Sequence, residues 1–553
     1  MRRLFILSLF FPFCLFLSQN LSAQKFPNHL YLPIHGPIAK TVERMDVLHP
    51  DSFSHFTVNR PWRVDKVKRI IEQAHVSKAD DANRMLFRNL YSTAMLSKKP
   101  IAHYFYRQPA HLFSINNKEF TLFVDPLFHL EYGREANIDE NKYINTRGVL
   151  VQGELGNKLG FYTEIDENQG NFMSYVMDRK DAMFQVLPGN GRVKPFKINS
   201  IDFMNARGYL SFNLLPQISL QFGQNNLFLG NGIRSFMLSD FTNNYSFLRL
   251  DTRFWRIEYQ NIFAQLVDFR KENVADGPIA RKWIAIHHLG IQLFPKFNLG
   301  LFEGVAFAPD SSRNGFEWYY LNPVIFYRSV EYQLGSADNV LMGLDWKYNF
   351  LRHFSFYGQV VIDDLRYWDL LKSTGWWGNK YALQGGLKYF DAFGIANLDL
   401  QTEFNTARPY TFSHDNPAIS WSHYGQALAH PLGANFREWL FSADYQAGAR
   451  FFLHATAFHS LYGADSGSSN FGSNILLDNS LHGPDYGHIT GEGIPTRLNY
   501  LKMSFSWMWR PNIFFGLQWT MRKQNSDWAA LKQKTNYIGI SFRMNFANRD
   551  FMF

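Results

Sequence analysis

The segment TNYIGISFRMNF (residues 535–546) carries two unlike rows of side chains. Ile538, Ile540, Phe542, Met544 and Phe546 are apolar, whereas Tyr537, Gly539, Ser541, Arg543 and Asn545 are mostly polar. Strict alternation over ten residues is a β-strand with two different faces. Which face meets water decides the fold. In a soluble sandwich the apolar row faces a core; in a membrane barrel it faces lipid and the polar row lines the lumen.

Composition favours the barrel. Of 553 residues 17% are aromatic, with 54 Phe, yet the mean hydropathy is mildly negative at −0.26. Apolar residues must therefore be interspersed with polar ones, as in strands that are wet on one side. No segment offers the eighteen consecutive apolar residues of a spanning helix. The opening MRRLFILSLFFPFCLFLSQNLSAQ reads as a secretory signal over residues 1–23, with Arg2 and Arg3, an apolar run at 4–17 and a small-residue cleavage site at Leu21-Ser22-Ala23. Cys14, the single cysteine, lies inside that run behind Pro12 and Phe13, which excludes a lipoprotein anchor. Without it the chain has no thiols, so it is not a small disulfide-stapled domain. The net charge of +9 includes Arg2 and Arg3. The modest excess suits lipopolysaccharide or acidic glycans, although exposed basic residues are usually just solvated.

Residues 24–118 read as an N-terminal periplasmic helical region. Val64, Val67, Ile70 and Ile71, then Met85, Leu86 and Leu90, fall at helical spacing between Pro61 and Pro100, a helical hairpin. From 119 onward the period is two. In GVLVQGELGNKLGFYTEID (148–166), Val149, Val151 and Leu155 alternate with Gln152 and Glu154. After the turn Leu159, Phe161 and Ile165 alternate with Tyr162, Glu164 and Asp166. Unpaired carboxylates are prohibitive in a sandwich core but cost little in a wet lumen.

Tight turns, several built on Pro216, Pro295 and Pro511, alternate with long polar connections. Strands are expected to begin near 119, 146, 158, 201, 218, 245, 256, 281, 297, 339, 354, 380, 395, 438, 450, 498, 513 and 536. This is an all-β transmembrane barrel of about 18 antiparallel strands over 119–546, closed because lipid offers no hydrogen-bond partners. The helical region is expected to plug it. ANRDFMF breaks the alternation after Phe546, so either the last strand stops there, leaving a 547–553 tail, or a bulge resets its register.

Four separated stretches, LGNGIRSFMLSDFTNNYSFLRLDTRFWRIEYQNIFAQL (229–266), YYLNPVIFYRSVEYQLGSADNVLMGLDWKYNF (319–350), HYGQALAHPLGANFREW (423–439) and GADSGSSNFGSNILLDN (463–479), resemble the Wzi capsule-assembly family, and more closely its RemB-type gliding-motility branch. The resemblance implies an eighteen-stranded outer-membrane barrel with a periplasmic helical plug and mouth-narrowing loops. It also implies a non-catalytic role toward surface polysaccharide or adhesin partners, in capsule assembly or gliding. Within the first stretch Arg234 and Asp240 are candidates for a glycan hydroxyl or acidic sugar. Gly230 and Gly232 lack the third glycine and helix of a phosphate loop.

VIDDLRYWDLLKSTGWWGNKY (361–381) sets Asp363 and Asp364 beside Tyr367, Trp368, Trp376 and Trp377. Adjacent strand residues point to opposite faces, so the two aspartates cannot flank a glycosidic bond. Trp376 and Trp377 are read as interface girdle, loop packing or sugar platform. His414, His423 and His430 share one loop at spacings too wide for a metal site; His423 joins the candidate glycan ligands. No G-x-S-x-G, H-E-x-x-H or thiol is present beyond Cys14. No enzyme activity, cofactor, metal or nucleic-acid partner is expected. Expected partners are outer-membrane lipid and lipopolysaccharide, with a surface polysaccharide or adhesin. A solute porin is the alternative.

Overall fold

The computed structural model describes residues 26–553 except 51–55, 75–76, 95, 98–99, 102–103, 270–278, 309–317, 327–337 and 468. The signal expected over residues 1–23 lies outside the described residues. Eighteen antiparallel strands close into one barrel. They are β1 Phe120–Glu135, β2 Asn141–Leu155, β3 Leu159–Asn171, β4 Ser200–Leu215, β5 Ile218–Asn225 and β6 Tyr245–Phe254. Next come β7 Ile257–Val267, β8 Arg281–Phe294, β9 Phe297–Phe307, β10 Asn339–Phe350, β11 Phe354–Asp364 and β12 Lys380–Tyr389. The wall is completed by β13 Leu398–Ala407, β14 Phe436–Ala447, β15 Phe451–Ala464, β16 Ile494–Arg510, β17 Ile513–Ser526 and β18 Gln533–Met544.

Expected and observed strand starts differ most at β2, which begins at Asn141 rather than near 146. Its first residues, NKYIN, hold one aliphatic side chain, Ile144, sharing a face with Lys142 opposite Asn141 and Asn145, so no alternation shows there. Short turns sit where expected. Gly156 and Asn157 both take positive φ in the three-residue connection between β2 and β3, which the Lys158 N–H closes by donating to Leu155 O at 3.0 Å.

Along β18 the rows divide as the pattern requires. Tyr537 faces inward and is buried, donating its hydroxyl to Glu131 at 2.7 Å. Ile538 and Ile540 face outward and are 55% and 61% exposed. At the short-turn end the outer wall carries a chain of rings. Phe294, Phe297, Tyr348, Phe350, Phe354, Tyr389 and Phe393 succeed one another at centroid distances of 4.3–6.3 Å. An apolar outer band with an aromatic rim is the surface of a lipid-embedded barrel. Among the described residues no helix is long and apolar enough to cross a membrane.

The seam is short. β18 pairs with β1 only from Tyr537↔Glu135 to Met544↔Phe128. Below it, the hairpin Phe105–Gln108/His111–Asn116, inside the stretch expected to be helical, pairs with β1 from Phe113↔Val124 to Asn116↔Thr121. Residues 547–553 neither extend β18 nor hang free. They turn into the barrel, where Tyr175 donates to the Phe551 carbonyl at 2.7 Å and Arg234 Nη1 to that of Met552 at 2.7 Å. The alternation breaks after Phe546 because the chain leaves the wall.

The mid-strand carboxylates, expected to face a water-filled lumen, meet protein groups instead. Asp166 is buried, accepting from Asn205 Nδ2 at 3.2 Å and lying 3.4 Å from Arg549. Glu154 meets the Asn28 backbone N–H at 3.2 Å and the His29 ring. Protein donors replace the water.

Two fillers occupy the interior. Toward the short turns lie α1 Pro37–Leu48, α2 Val64–Glu72 and α3 Lys78–Tyr91. Helices α2 and α3 are the expected hairpin. α1 lies outside the expected hairpin, and Met85, about 100° around α3 from buried Leu86, is exposed. The Ser77 hydroxyl caps α3 by accepting from Asp80 N at 3.1 Å. Toward the long loops, residues 226–244 and 408–435 fold inward. The fillers meet where Asn59–Arg60 pairs with Phe228–Leu229.

Candidate functional site

The inward filler at the long-loop end is built around apolar side chains. Leu227, Leu229, Phe236, Met237, Leu238, Trp421 and Leu428 pack against inward Phe247, Ile262, Ile284, Ile286, Phe302, Leu341 and Val361. Trp421 donates its indole N–H to Met237 O at 3.0 Å. A Cβ on Gly304 would lie 2.7 Å from Trp421 Cη2, so that strand position must be glycine for the ring to seat.

Arg234 sits inside this core and is buried. Its Nε is 3.1 Å from Glu438 Oε1, and Glu438 also meets His430 Nε2 at 2.9 Å and Ser460 Oγ at 3.1 Å. The backbone N–H groups of Ile233 and Arg234 donate to Glu403 at 2.9 and 3.1 Å. This guanidinium is a structural cation that ties a loop to the wall and to residue 552. Asp240 instead lies partly exposed, 2.7 Å from His35 Nε2.

His423 is buried at the end of β7. Its Nδ1 accepts from Val267 N–H at 3.0 Å, and its Nε2 faces Asn244 O at 3.3 Å, which fixes a neutral tautomer. Burial pushes its pKa down to about 3.

Trp376 and Trp377 are brought together, with ring centroids 6.1 Å apart. They serve as loop packing, not as interface girdle, and lie at the opposite end of the wall from the aromatic rim. The Arg366 guanidinium covers Trp376 at 3.8 Å, and Trp377 stacks on His482 at 4.0 Å. Their backbone pairs with a neighbouring loop through Trp377 N→Asp485 O (3.0 Å), Gly487 N→Thr374 O (3.1 Å) and His488 N→Gly375 O (2.9 Å). His488 donates to Glu492 and to Pro484 O, both at 2.6 Å; the Glu492 contact holds its pKa above the ordinary value.

The aromatic rings displayed outward are others. Tyr367 and Trp368, on the short helix α4 Tyr367–Leu371, and Tyr486 on the neighbouring loop are exposed, Trp368 by 70%. They flank the cluster of buried Trp376 and half-buried Trp377 and His482. The sequence signal for them was present in RYWDLL, but burial cannot be read from one short turn. Chemically, exposed rings on a rigid base offer flat apolar faces, with backbone carbonyls beside them as acceptors.

Asp363 and Asp364 do point to opposite faces. Asp363 is buried 2.9 Å from Lys380, and Asp364 accepts from Leu365 N. The five sequence candidates therefore divide: Trp376 with Trp377 under the crown, Arg234 and His423 in the core, and Asp240 at a half-open junction.

No protein-family profile and no curated relative matches the chain. Among solved structures, it is similar to OprD of Pseudomonas aeruginosa (10% identity, TM-score 0.41, 76% of this chain and 94% of that one). It is similar also to OccAB2 of Acinetobacter baumannii (9%, 0.41, 76% and 97%). Wzi, the Escherichia coli outer-membrane protein involved in group 1 capsule assembly and described as a carbohydrate-binding β-barrel, matches over 94% of this chain and all of its own, at 11% identity and a TM-score of 0.57. At that identity the likeness establishes the architecture, so the chain shares its closed eighteen-stranded barrel fold with Wzi.

Proposed function

We propose that this chain is an outer-membrane barrel that neither conducts nor catalyses, and whose long-loop crown engages a cell-surface polysaccharide in capsule assembly or gliding. In this reading the short turns face the periplasm and the long loops the outside. The observation that carries it is the pairing of a filled interior with an exposed aromatic crown. Helices α1–α3 block one half of the barrel and an apolar core the other, and a cavity among Tyr31, Trp62, Asn213, Arg249 and Glu258 measures only about 40 Å³. Trp368, Tyr367 and Tyr486 are left to meet a ligand, and the apolar face of a sugar ring packs on such rings. The carbohydrate binding named for Wzi supports the ligand class.

The test is retention of purified surface polysaccharide by cells carrying Trp368→Ala with Tyr486→Ala, alongside capsule and spreading phenotypes. At least a tenfold loss of retention is expected, with heat-modifiable gel mobility of the barrel preserved. Unchanged retention and spreading in the folded variant sinks the crown assignment. Planar-bilayer recordings address the porin reading: the intact protein is expected to be silent, and a large steady conductance overturns the proposal.

A further inference from the structure

Three polar side chains stand in one lateral row on the outer wall. Asn261 on β7 faces His287 on β8, and His287 faces Glu303 on β9. Their strand neighbours Ile262, Ile286 and Phe302 point into the inner core, so this row points away from it. All three are buried, and His287 Nδ1 lies 2.6 Å from Asn261 Oδ1. Glu303 is six residues above Phe297 of the aromatic rim. At about 3.4 Å per residue and a tilt near 40°, that is roughly 15 Å up an apolar band about 25 Å tall. A bare carboxylate and imidazole at that depth would be costly in lipid.

What covers them is part of the β9–β10 connection. The turn Trp318–Leu321 enters beside the top of β9, where Tyr320 stacks on Phe307 at 4.5 Å. The chain then descends the outside of the wall as Leu321-Asn322-Pro323-Val324-Ile325-Phe326. Irregular backbone is excluded from lipid unless its polar groups find partners. Here several do. Pro323 has no N–H, and its carbonyl accepts from the Tyr259 hydroxyl. The Val324 N–H donates to Asn322 Oδ1 at 3.2 Å, and that of Phe326 to Glu303 Oε2 at 2.7 Å. Val324 and Phe326 are 54% and 42% exposed on the outer side.

We infer that residues 320–326 form a lipid-immersed strap. Val324 and Phe326 face acyl chains, while Tyr259 and Glu303 satisfy the strap's backbone from below and the strap shields the polar row. The inference rests on the membrane reading above, and its test separates the two. Nitroxide labels are placed at Val324→Cys, at Phe222→Cys on the bare outer wall and at Ile489→Cys on the crown, each in a Cys14→Ser background in phosphatidylcholine nanodiscs. Relaxation by oxygen reports lipid and relaxation by a nickel chelate reports water. Position 324 is expected to match 222, with oxygen accessibility several-fold above that at 489. If 324 behaves like 489 while 222 stays in lipid, the strap fails and the membrane reading stands. If 222 meets the chelate, the membrane reading fails. Protection of 324 from both agents means a second copy covers it, which also overturns the strap. Glu303→Ala should at least double label mobility at 324 and Glu303→Gln should restore it; unchanged mobility in Glu303→Ala overturns the anchoring role.

Discussion

The two fillers of the barrel are held by different physics. Near the short turns, α1 is laced to the wall by charge. Arg44 meets Asp391 at 2.8 Å, Lys347 meets Asp46 at 2.6 Å, and Glu43 lies between Arg60 and Lys388 at 2.6 and 2.8 Å. Near the long loops, β6–β11 present an apolar inner wall, and the buried charges beside it stand in small separate groups such as Arg234–Glu438–His430 and Lys380–Asp363. A laced interface has several partners for each charge, so losing one is cushioned. A small node has little in reserve: without Glu438, Arg234 keeps the Met552 carbonyl and His430 loses its carboxylate.

The largest expected effect follows from that contrast. Glu438→Ala strands Arg234 and His430 in the apolar half and should destabilise the barrel by about 3–5 kcal/mol, read as a lower urea midpoint; a loss under about 1 kcal/mol would make the two halves alike. Trp421→Ala should cost about 3–5 kcal/mol by emptying the core, with faster amide exchange at 226–244 and not in α1–α3.

A pH effect comes next. The His423 ring is neutral when folded, with its pKa held at about 3 against an ordinary value near 6.5. Between those values the unfolded chain takes up a proton that the folded one refuses, so stability is full above about pH 6.5 and falls as pH drops toward 3. His423→Gln should flatten that slope between pH 7 and 4. Lys40→Met in the laced half should cost less than about 1 kcal/mol, since Asp444 keeps its contact with His454 and both Lys40 and Asp444 are partly exposed. The smallest effect is at the crown. His488 has a raised pKa, so its contribution is full below the ordinary histidine value and is lost as pH rises through the raised one. The exchange protection of amides 482–492, corrected for intrinsic base catalysis, should fall from pH 6 to 8.5, and His488→Gln should remove that fall.

Most of the wall was legible from sequence because each strand announces itself locally, through alternation bounded by turns such as Gly156-Asn157. The interior was not. Alternation assigns the polar row of each strand to the lumen, whereas β6–β11 turn Phe247, Ile262, Ile286, Phe302 and Val361 inward. Apolar residues on both faces of a strand signal a filled barrel, but the filling loop is assigned only by its contacts. The site suffered for the same reason. Arg234 depends on Glu438 and Met552, 204 and 318 positions away, and no local spacing encodes such partners. The long loops are candidate fillers from sequence, and those at 226–244 and 408–435 do pack into the core, so their deletion tests folding before it tests function.

The patched seam makes enclosure of the helices and closure of the wall one event. The strand that zips the cylinder shut stops at Met544, and the remaining edge of β1 is sealed by the hairpin that ends at Asn116, directly downstream of the helices. A cylinder that closed without its contents would carry an unsealed lip on its first strand, open to pairing with any neighbour. The cargo is thereby also the clasp.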